Sequence, residues 1–273
     1  MRRFQLINSL GKKWDLNDSR SFFHDVSGLG LERKASYTRA GTRYMPEEDV
    51  LAQKQIKGKI CFTDYEQYRQ FVMFIQYKPL VLVYNIGEEY RIRVSIDKLE
   101  KKELATGGLY SNITMKSLGT YYKTVKRQNF RSADSEGKAY PLAYPYAYYD
   151  AASGTVIVDS DSVMESGIRI SIFGPCTNPS YIHYLNGEVK ADGKVNVTVE
   201  DGYKLIIDST VIPYSIKLCT VRNELVKDVY DKSDFSTERF LLLESGVNKI
   251  SFMHESSEAI NISVEAEIEY ESV

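Results

Sequence analysis

The sequence predicts a mainly β chain in two parts: an α+β domain with one helix, followed by an antiparallel β-sandwich. Three observations carry this reading. The C-terminal stretch INISVEAEIEYE alternates over its whole length, with Ile260, Ile262, Val264, Ala266, Ile268 and Tyr270 on one face and Asn261, Ser263, Glu265, Glu267, Glu269 and Glu271 on the other. Period two with one dry face is the pattern of an antiparallel sheet wet on one side. Helical period is convincing at a single place, FTDYEQYRQFVMFIQYKP. The length, 273 residues, corresponds to about two domains at roughly 150 residues each.

In the first half the helix has both its signals. Thr63-x-x-Glu66 and Asp64-x-x-Gln67 have capping-box spacing, Tyr68, Phe71, Val72 and Ile75 share a face, and Pro79 stops the helix. A weaker helix is expected from Pro46 to Gln53. There Pro-Glu-Glu-Asp suits a helix start, and Glu47, Glu48 and Asp49 read as an acidic first turn. Strands are expected at Lys57–Phe62, Leu80–Tyr84, Tyr90–Ile96, Leu109–Met115 and Tyr121–Val125. Asn85-Ile86-Gly87-Glu88 makes a hairpin connection between two of them.

The middle of the chain reads as a boundary. Residues 1–139 hold 25 Lys and Arg against 16 Asp and Glu, a net of +9; residues 140–273 hold 10 against 21, a net of −11. Such asymmetry speaks for separate surfaces with separate neighbours, not for a particular fold. The break falls at SADSEGKAYPLAYPYAYYDAASG. Pro141 and Pro145 fix their own φ and push Tyr140 and Tyr144 towards extended backbone, giving a stiff connector. Its rings need a dry place, so Tyr140, Pro141, Tyr144, Pro145, Tyr146 and Tyr148 are expected to pack between the domains and set their angle. A proline-rich ligand for another protein's groove is the alternative. The expected division is domain 1–139, connector 140–152 and domain 153–273.

The second half is all strand. Val195, Val197 and Val199 alternate with polar neighbours. Asn186-Gly187, Asp192-Gly193 and Asp201-Gly202 are tight-turn dipeptides. About eight short strands at this spacing make a β-sandwich.

Chemistry is not expected. His24, His183 and His254 are isolated, and HExxH, GxSxG and CxxC are lacking. Cys61, Cys176 and Cys219 are odd in number and far apart, so they read as buried free thiols of a protein folded in a reducing cytoplasm. An Asp159-x-Asp161 calcium loop would put Met164 where Gly is required and Ile170 where Glu is required. Gly28-Leu29-Gly30 lacks the third glycine of a dinucleotide loop and reads as a turn. No apolar run approaches the roughly 18 residues of a membrane span. The sequence therefore predicts neither an enzyme nor a cofactor, a metal or a membrane partner. Two stretches remain as candidate partner surfaces. Lys123, Lys126 and Arg127 are interleaved with aromatics, a pattern shared by single-stranded nucleic-acid binders and by the polar rim of a strand. The row Glu265, Glu267 and Glu269 is either a solvated face that discourages edge pairing or a strip for a basic partner.

Several stretches resemble, in order, a known family. FQLINSLGKKWDLN followed by FFHDVSGLGLERKASYTRAGTRY, then GKICFTDYEQYRQFVMFIQYKPLVLVY, then YPLAYPYAYYD, resembles the first domain and connector of the distal tail proteins of long-tailed phages infecting Gram-positive bacteria. VEDGYKLIIDS and LLLESGVNKISF resemble that family's C-terminal galectin-like sandwich. The resemblance implies a structural virion protein of the tail tip or baseplate, assembled in the host bacterial cytoplasm. It implies a homohexameric ring in which N-terminal domains close around a channel and C-terminal domains project outward. The implied partners are the tail tube protein, the tail hub or tail-associated lysin and receptor-binding proteins. DNA would pass through the channel without sequence-specific binding. A carbohydrate-binding module for the host cell wall is the alternative function. The chain is too short to hold an inserted module of the kind some relatives carry.

Overall fold

The computed structural model describes residues 2–18, 21–104, 107–129, 153–256 and 260–273. The chain divides into two compact units, one of residues 1–123 with 270–273 and one of residues 124–269. The expected connector, with Tyr140, Pro141, Tyr144, Pro145, Tyr146 and Tyr148, lies outside the described residues.

The first unit contains β1 (Arg3–Ile7), β2 (Lys13–Asp15), β3 (Asn17–Asp18), β4 (Ser21–Ser27), β5 (Arg33–Ala40), β6 (Arg43–Leu51), β7 (Gln55–Phe62), α1 (Tyr65–Ile75), β8 (Leu80–Asn85), β9 (Glu89–Leu99) and the first part of β10 (Leu109–Asn129). Its antiparallel sheet runs β3-β4-β7-β10-β9-β8-β1-β2. The two ends of that order meet. Asn17 on β3 accepts from the Phe4 amide at 3.1 Å and donates to the Phe4 carbonyl at 2.7 Å, replacing ladder bonds that the sheet cannot make there. Inside lie Phe4, Leu6, Ile56, Ile60, Leu82, Ile92, Met115 and Tyr121, all buried.

Helix α1 starts where its caps dictate. Of the two capping-box spacings the structure uses the second. Asp64 Oδ1 accepts from the Gln67 amide at 2.8 Å, and Gln67 Oε1 accepts from the Thr63 amide at 2.7 Å. Its apolar face, Phe71, Phe74 and Ile75, is buried, with Trp14 at 5.2 Å from the Phe71 ring and Phe62 at 5.3 Å. The helix ends at Ile75, ahead of Pro79.

Two expectations for this unit are corrected. Pro46 to Gln53 is not a helix. It falls on β6, which pairs with β5 from Arg33↔Leu51 to Ala40↔Arg43. Pro46 sits beside the register shift between Ser36 and Tyr37, where a missing amide is tolerated. Glu47, Glu48 and Asp49 therefore line a ribbon; Asp49 pairs with Arg33 at 3.1 Å and Glu47 accepts from the Thr38 hydroxyl. The local Pro-and-acid signal loses to a row of cross-strand pairs closed by Gly41 at φ +64°. Second, the two strands expected at 109–115 and 121–125 are one strand, β10, with irregularities at Thr114/Met115 and Ser117/Tyr121 that let it stay paired with β9.

The second unit contains β11 (Ser153–Ser160), β12 (Ser166–Phe173), β13 (Cys176–Thr177), β14 (Ser180–Leu185), β15 (Glu188–Lys194), β16 (Thr198–Val199), β17 (Tyr203–Asp208), β18 (Ser215–Thr220), β19 (Leu225–Asp228), β20 (Leu242–Leu243), β21 (Gly246–Met253) and β22 (Asn261–Tyr270, of which Tyr270 falls to the first unit). It has two main antiparallel sheets, β19-β18-β17-β12-β22 and β11-β21-β14-β15. Each has one buried face. Across the first, Ile168↔Ala266, Ile170↔Val264 and Ile172↔Ile262 are paired and buried, and Ile207 and Leu205 continue the rows onto β17. In the second, Val156↔Ile250 and Tyr181↔Phe252 do the same. Each such aliphatic side chain is worth about 1.5–3 kcal/mol on burial. The alternation read in residues 260–271 is thus a sheet with one dry face.

Of the three expected turns, Asn186-Gly187 joins β14 to β15 with both residues at positive φ, and Asp201-Gly202 precedes β17 with Gly202 at φ +81°. Asp192-Gly193 is no turn. It lies within β15, opposite Ile182 and Tyr181. A Cβ on Gly193 would come within 2.4 Å of the Tyr181 ring, so the glycine serves close packing instead of chain reversal. Likewise Val195, Val197 and Val199 do not form one strand. The Val197 amide turns back onto the Val195 carbonyl, Val195 makes an isolated bridge to Ser233, and Thr198–Val199 forms the short β16.

Candidate interaction surfaces

Among the described residues no group of three or more His, Cys, Asp or Glu could hold a metal ion, and no helix is long and apolar enough to cross a membrane. The three cysteines are free and buried, and burial pushes the Cys176 thiol up to about 11, away from reactivity. His183 Nε2 lies 2.9 Å from Asn248 Oδ1 in the interior, and burial holds its imidazole below its ordinary value. These are structural groups.

The residues expected to face partners are already engaged within the chain. Lys123 Nζ is 2.6 Å from Glu88 and lies over the Tyr90 and Tyr270 rings at 5.4 and 5.8 Å. Lys126 Nζ is 3.2 Å from Glu265, and the Arg127 guanidinium donates to the Lys126 carbonyl at 3.2 Å. Glu265, Glu267 and Glu269 are half-buried on the wet face of β22. Glu265 stands opposite Arg169, which forks onto Asp208 at 2.8 Å. Asp208, Arg169, Glu265 and Lys126 thus form a row of alternating charge, which favours the sheet over a bare acidic strip.

A surface that sequence reasoning missed is the ribbon β5–β6. All of β5 and all of β6 except Leu51 are exposed, so this hairpin has no dry face. It nevertheless carries large apolar side chains: Tyr37, Tyr44 and Met45 are 61, 68 and 57 % exposed. Its root, by contrast, is fixed. Lys54 follows β6 and is 2 % exposed; its ammonium donates to the Gly30 carbonyl at 2.6 Å and sits 5.6 Å from the Tyr121 ring centre. Burial lowers its affinity for the proton, while Glu32 and Glu271 oppose that. The Tyr121 hydroxyl donates to the Leu29 carbonyl at 3.2 Å, the Ala52 amide to Glu32 at 3.0 Å and the Lys54 amide to Ser117 Oγ at 3.0 Å. Arg33 adds Glu271 at 2.9 Å. Gly28, at φ +82°, lies so close to Gln55 that no Cβ would fit. The Gly28-Leu29-Gly30 turn is therefore a hinge post for the ribbon, not a phosphate cradle. The signal for this surface was the exposed Tyr-Thr-Arg-Ala-Gly-Thr-Arg-Tyr sequence, a two-residue reversal flanked by β-formers.

Residues 3–118 match a family model described as the distal tail protein, N-terminal domain. Among solved structures, a chain of the phage P2 baseplate in its activated conformation with calcium superposes with a TM-score of 0.69 at 16% identity, covering 100% of both chains. The same baseplate with strontium gives 0.67 at 17%, again covering 100% of both. The SPP1 Dit protein, described as a paradigm of hub adsorption apparatus in phages infecting Gram-positive bacteria, gives 0.59 at 12%, covering 97% of this chain and 98% of that one. At these identities the likeness is one of fold. Comparison with curated proteins returns no match.

Proposed function

We propose, from the match of residues 3–118 to the distal tail protein N-terminal domain, that the chain is a structural subunit of a phage tail tip or baseplate. In this reading six copies form a ring that joins the tail tube to the hub or tail-associated lysin and to the receptor-binding apparatus. The second unit contributes a galectin-like sandwich. The observation that carries the ring is the β5–β6 ribbon. A two-stranded hairpin is marginal in water by itself, and one that shows Tyr37, Tyr44 and Met45 to solvent on a fixed root is built for a partner. That partner is the neighbouring copy of the chain. A patch that meets a different patch on the next subunit is heterologous, and such contacts make a ring where the rotation between copies closes.

Light scattering and negative-stain microscopy test this. Wild-type protein, alone or with its tail tube and hub proteins, is expected to form closed rings. Tyr37→Ser with Tyr44→Ser and Met45→Ser is expected to leave monomers with an unchanged melting temperature, because these side chains contribute little to the fold of one chain. Strict monomers under all these conditions overturn the ring. Rings that survive the triple substitution keep the ring and remove the ribbon from it.

A further inference from the structure

The second unit carries an aromatic hollow that the ring reading does not use. It opens beside the start of β18 and the end of β19, has a volume of about 560 Å³ and is lined by Tyr214, Asp228, Tyr230, Arg239 and Phe240 among others. Three rings line it, Tyr214, Tyr230 and Phe240, and Phe235 stands beside them. Tyr230 stacks on Phe240 with centroids 6.1 Å apart, Tyr214 lies 5.1 Å from Phe240, and Phe235 stands edge-on to Tyr230 at 5.8 Å. Most such clusters close over and become core. This one stays open: Phe235 is 58 % exposed, and Tyr214 and Tyr230 are exposed as well.

The polar groups are as informative as the rings. The Arg239 guanidinium lies over Phe235 at 4.9 Å and over Tyr230 at 5.6 Å. These contacts leave its N–H donors unspent: among the described residues it takes part in no hydrogen bond or ion pair. Asp228 holds the Tyr230 amide at 3.0 Å, which anchors the platform from below. An unspent donor fork and a carboxylate of opposite charge flank the near-parallel Tyr230–Phe240 pair. An ionic ligand of either sign would meet one like charge. A ligand that is neutral overall, with many hydroxyls on its rim and polarised C–H bonds on its face, matches all three features. The C–H face suits the negative face of an aromatic ring, hydroxyls can accept from the arginine N–H groups and donate to the carboxylate, and the volume lies within the range of ligand sites.

We propose that the hollow of Tyr214, Asp228, Tyr230, Arg239 and Phe240, with Phe235 beside it supporting Arg239, binds a neutral saccharide, one sugar ring stacked on an aromatic face and its hydroxyls shared between Arg239 and Asp228.

The test uses the full chain on an array of defined neutral and acidic oligosaccharides, followed by calorimetry with the best neutral binder. The variants are Phe235→Ala, Arg239→Ala and Arg239→Lys, with Val189→Ser on the other sheet as control. Phe235 and Val189 are exposed, so these variants are expected to melt with the wild type, and any variant that does not is set aside. The expected result is binding of a neutral oligosaccharide, weakened at least tenfold by Phe235→Ala and by Arg239→Ala. Arg239→Lys, which keeps the charge but loses the fork, is expected to be weakened too, and Val189→Ser unchanged. Binding to nothing on the array overturns the proposal. So does binding that ignores Phe235 and Arg239, or binding to acidic glycans only that salt abolishes. If Phe235→Ala instead abolishes capture of a purified tail protein, the hollow is a protein contact and the saccharide site is rejected.

Discussion

At the scale of single residues, the interior of the second unit holds a buried histidine, His183. His183 is buried against Asn248, whose side-chain amide in turn donates to the Glu244 and Gly246 carbonyls. Burial is the main cause that lowers its proton affinity below the ordinary 6.5; Glu244 pulls the other way, and Lys190, ion-paired to Glu244 at 2.8 Å, adds to the lowering. The folded state therefore refuses a proton that the unfolded chain accepts. Its contribution to stability is whole above about pH 6.5 and is lost as pH falls from there through the folded value, at about 1.4 kcal/mol for each unit of depression. Denaturant midpoints measured from pH 8 to pH 5 should fall for the wild type and fall less for His183→Gln, which keeps an amide for Asn248 but cannot charge. Equal slopes would mean that another group carries the acid sensitivity.

Elements differ in how much of themselves they announce. Helix α1 was legible because everything that makes it is local: a cap at Asp64, a face at helical period and a proline beyond its end. Asp64→Ala removes the bond from the Gln67 amide and should cost about 1 kcal/mol, as caps do, lowering the melting temperature by about 2–4 °C for a domain of this size. Asp64→Asn should recover most of it, and calorimetry reads both. Strand β22 was legible for the same reason, its dry face being written in alternate residues. The ribbon β5–β6 was not. Neither of its faces is buried, so no alternation marks it, and Pro46-Glu47-Glu48-Asp49 imitates a helix start. Val195 to Val199 is the converse case, an alternation that the fold spends on a bridge and a turn. Gly193 looked like a turn residue because close packing and chain reversal select the same amino acid. The candidate surfaces were the least legible. Lys126 and Glu265 looked outward in sequence but find each other across the sheet, and no local pattern encodes that register.

For the whole molecule the open matter is what would hold copies together: the opposite net charges of the two halves, +9 and −11, or the apolar ribbon. Magnitudes decide. Much of the charge is spent within the chain, as in Lys59–Asp25, Lys116–Asp97, Lys123–Glu88 and Arg169–Asp208. What is left acts through solvent, where the screening length is about 8 Å at physiological salt and about 3 Å at 1 M. Exposed ion pairs contribute about 0–1 kcal/mol each. Tyr37, Tyr44 and Met45, covered together, contribute through apolar area at about 25 cal/mol per Å², a term that salt does not screen. Opposite halves would then steer copies towards each other and set the rate of encounter, while the ribbon would set the lifetime of the contact. Assembly followed by light scattering from about 0.15 to 1 M sodium chloride should therefore slow its approach to equilibrium yet keep its midpoint concentration within about threefold. The triple ribbon variant should fail to assemble at every salt concentration. A midpoint that rises by more than tenfold over this range would transfer the contact from the ribbon to the charges.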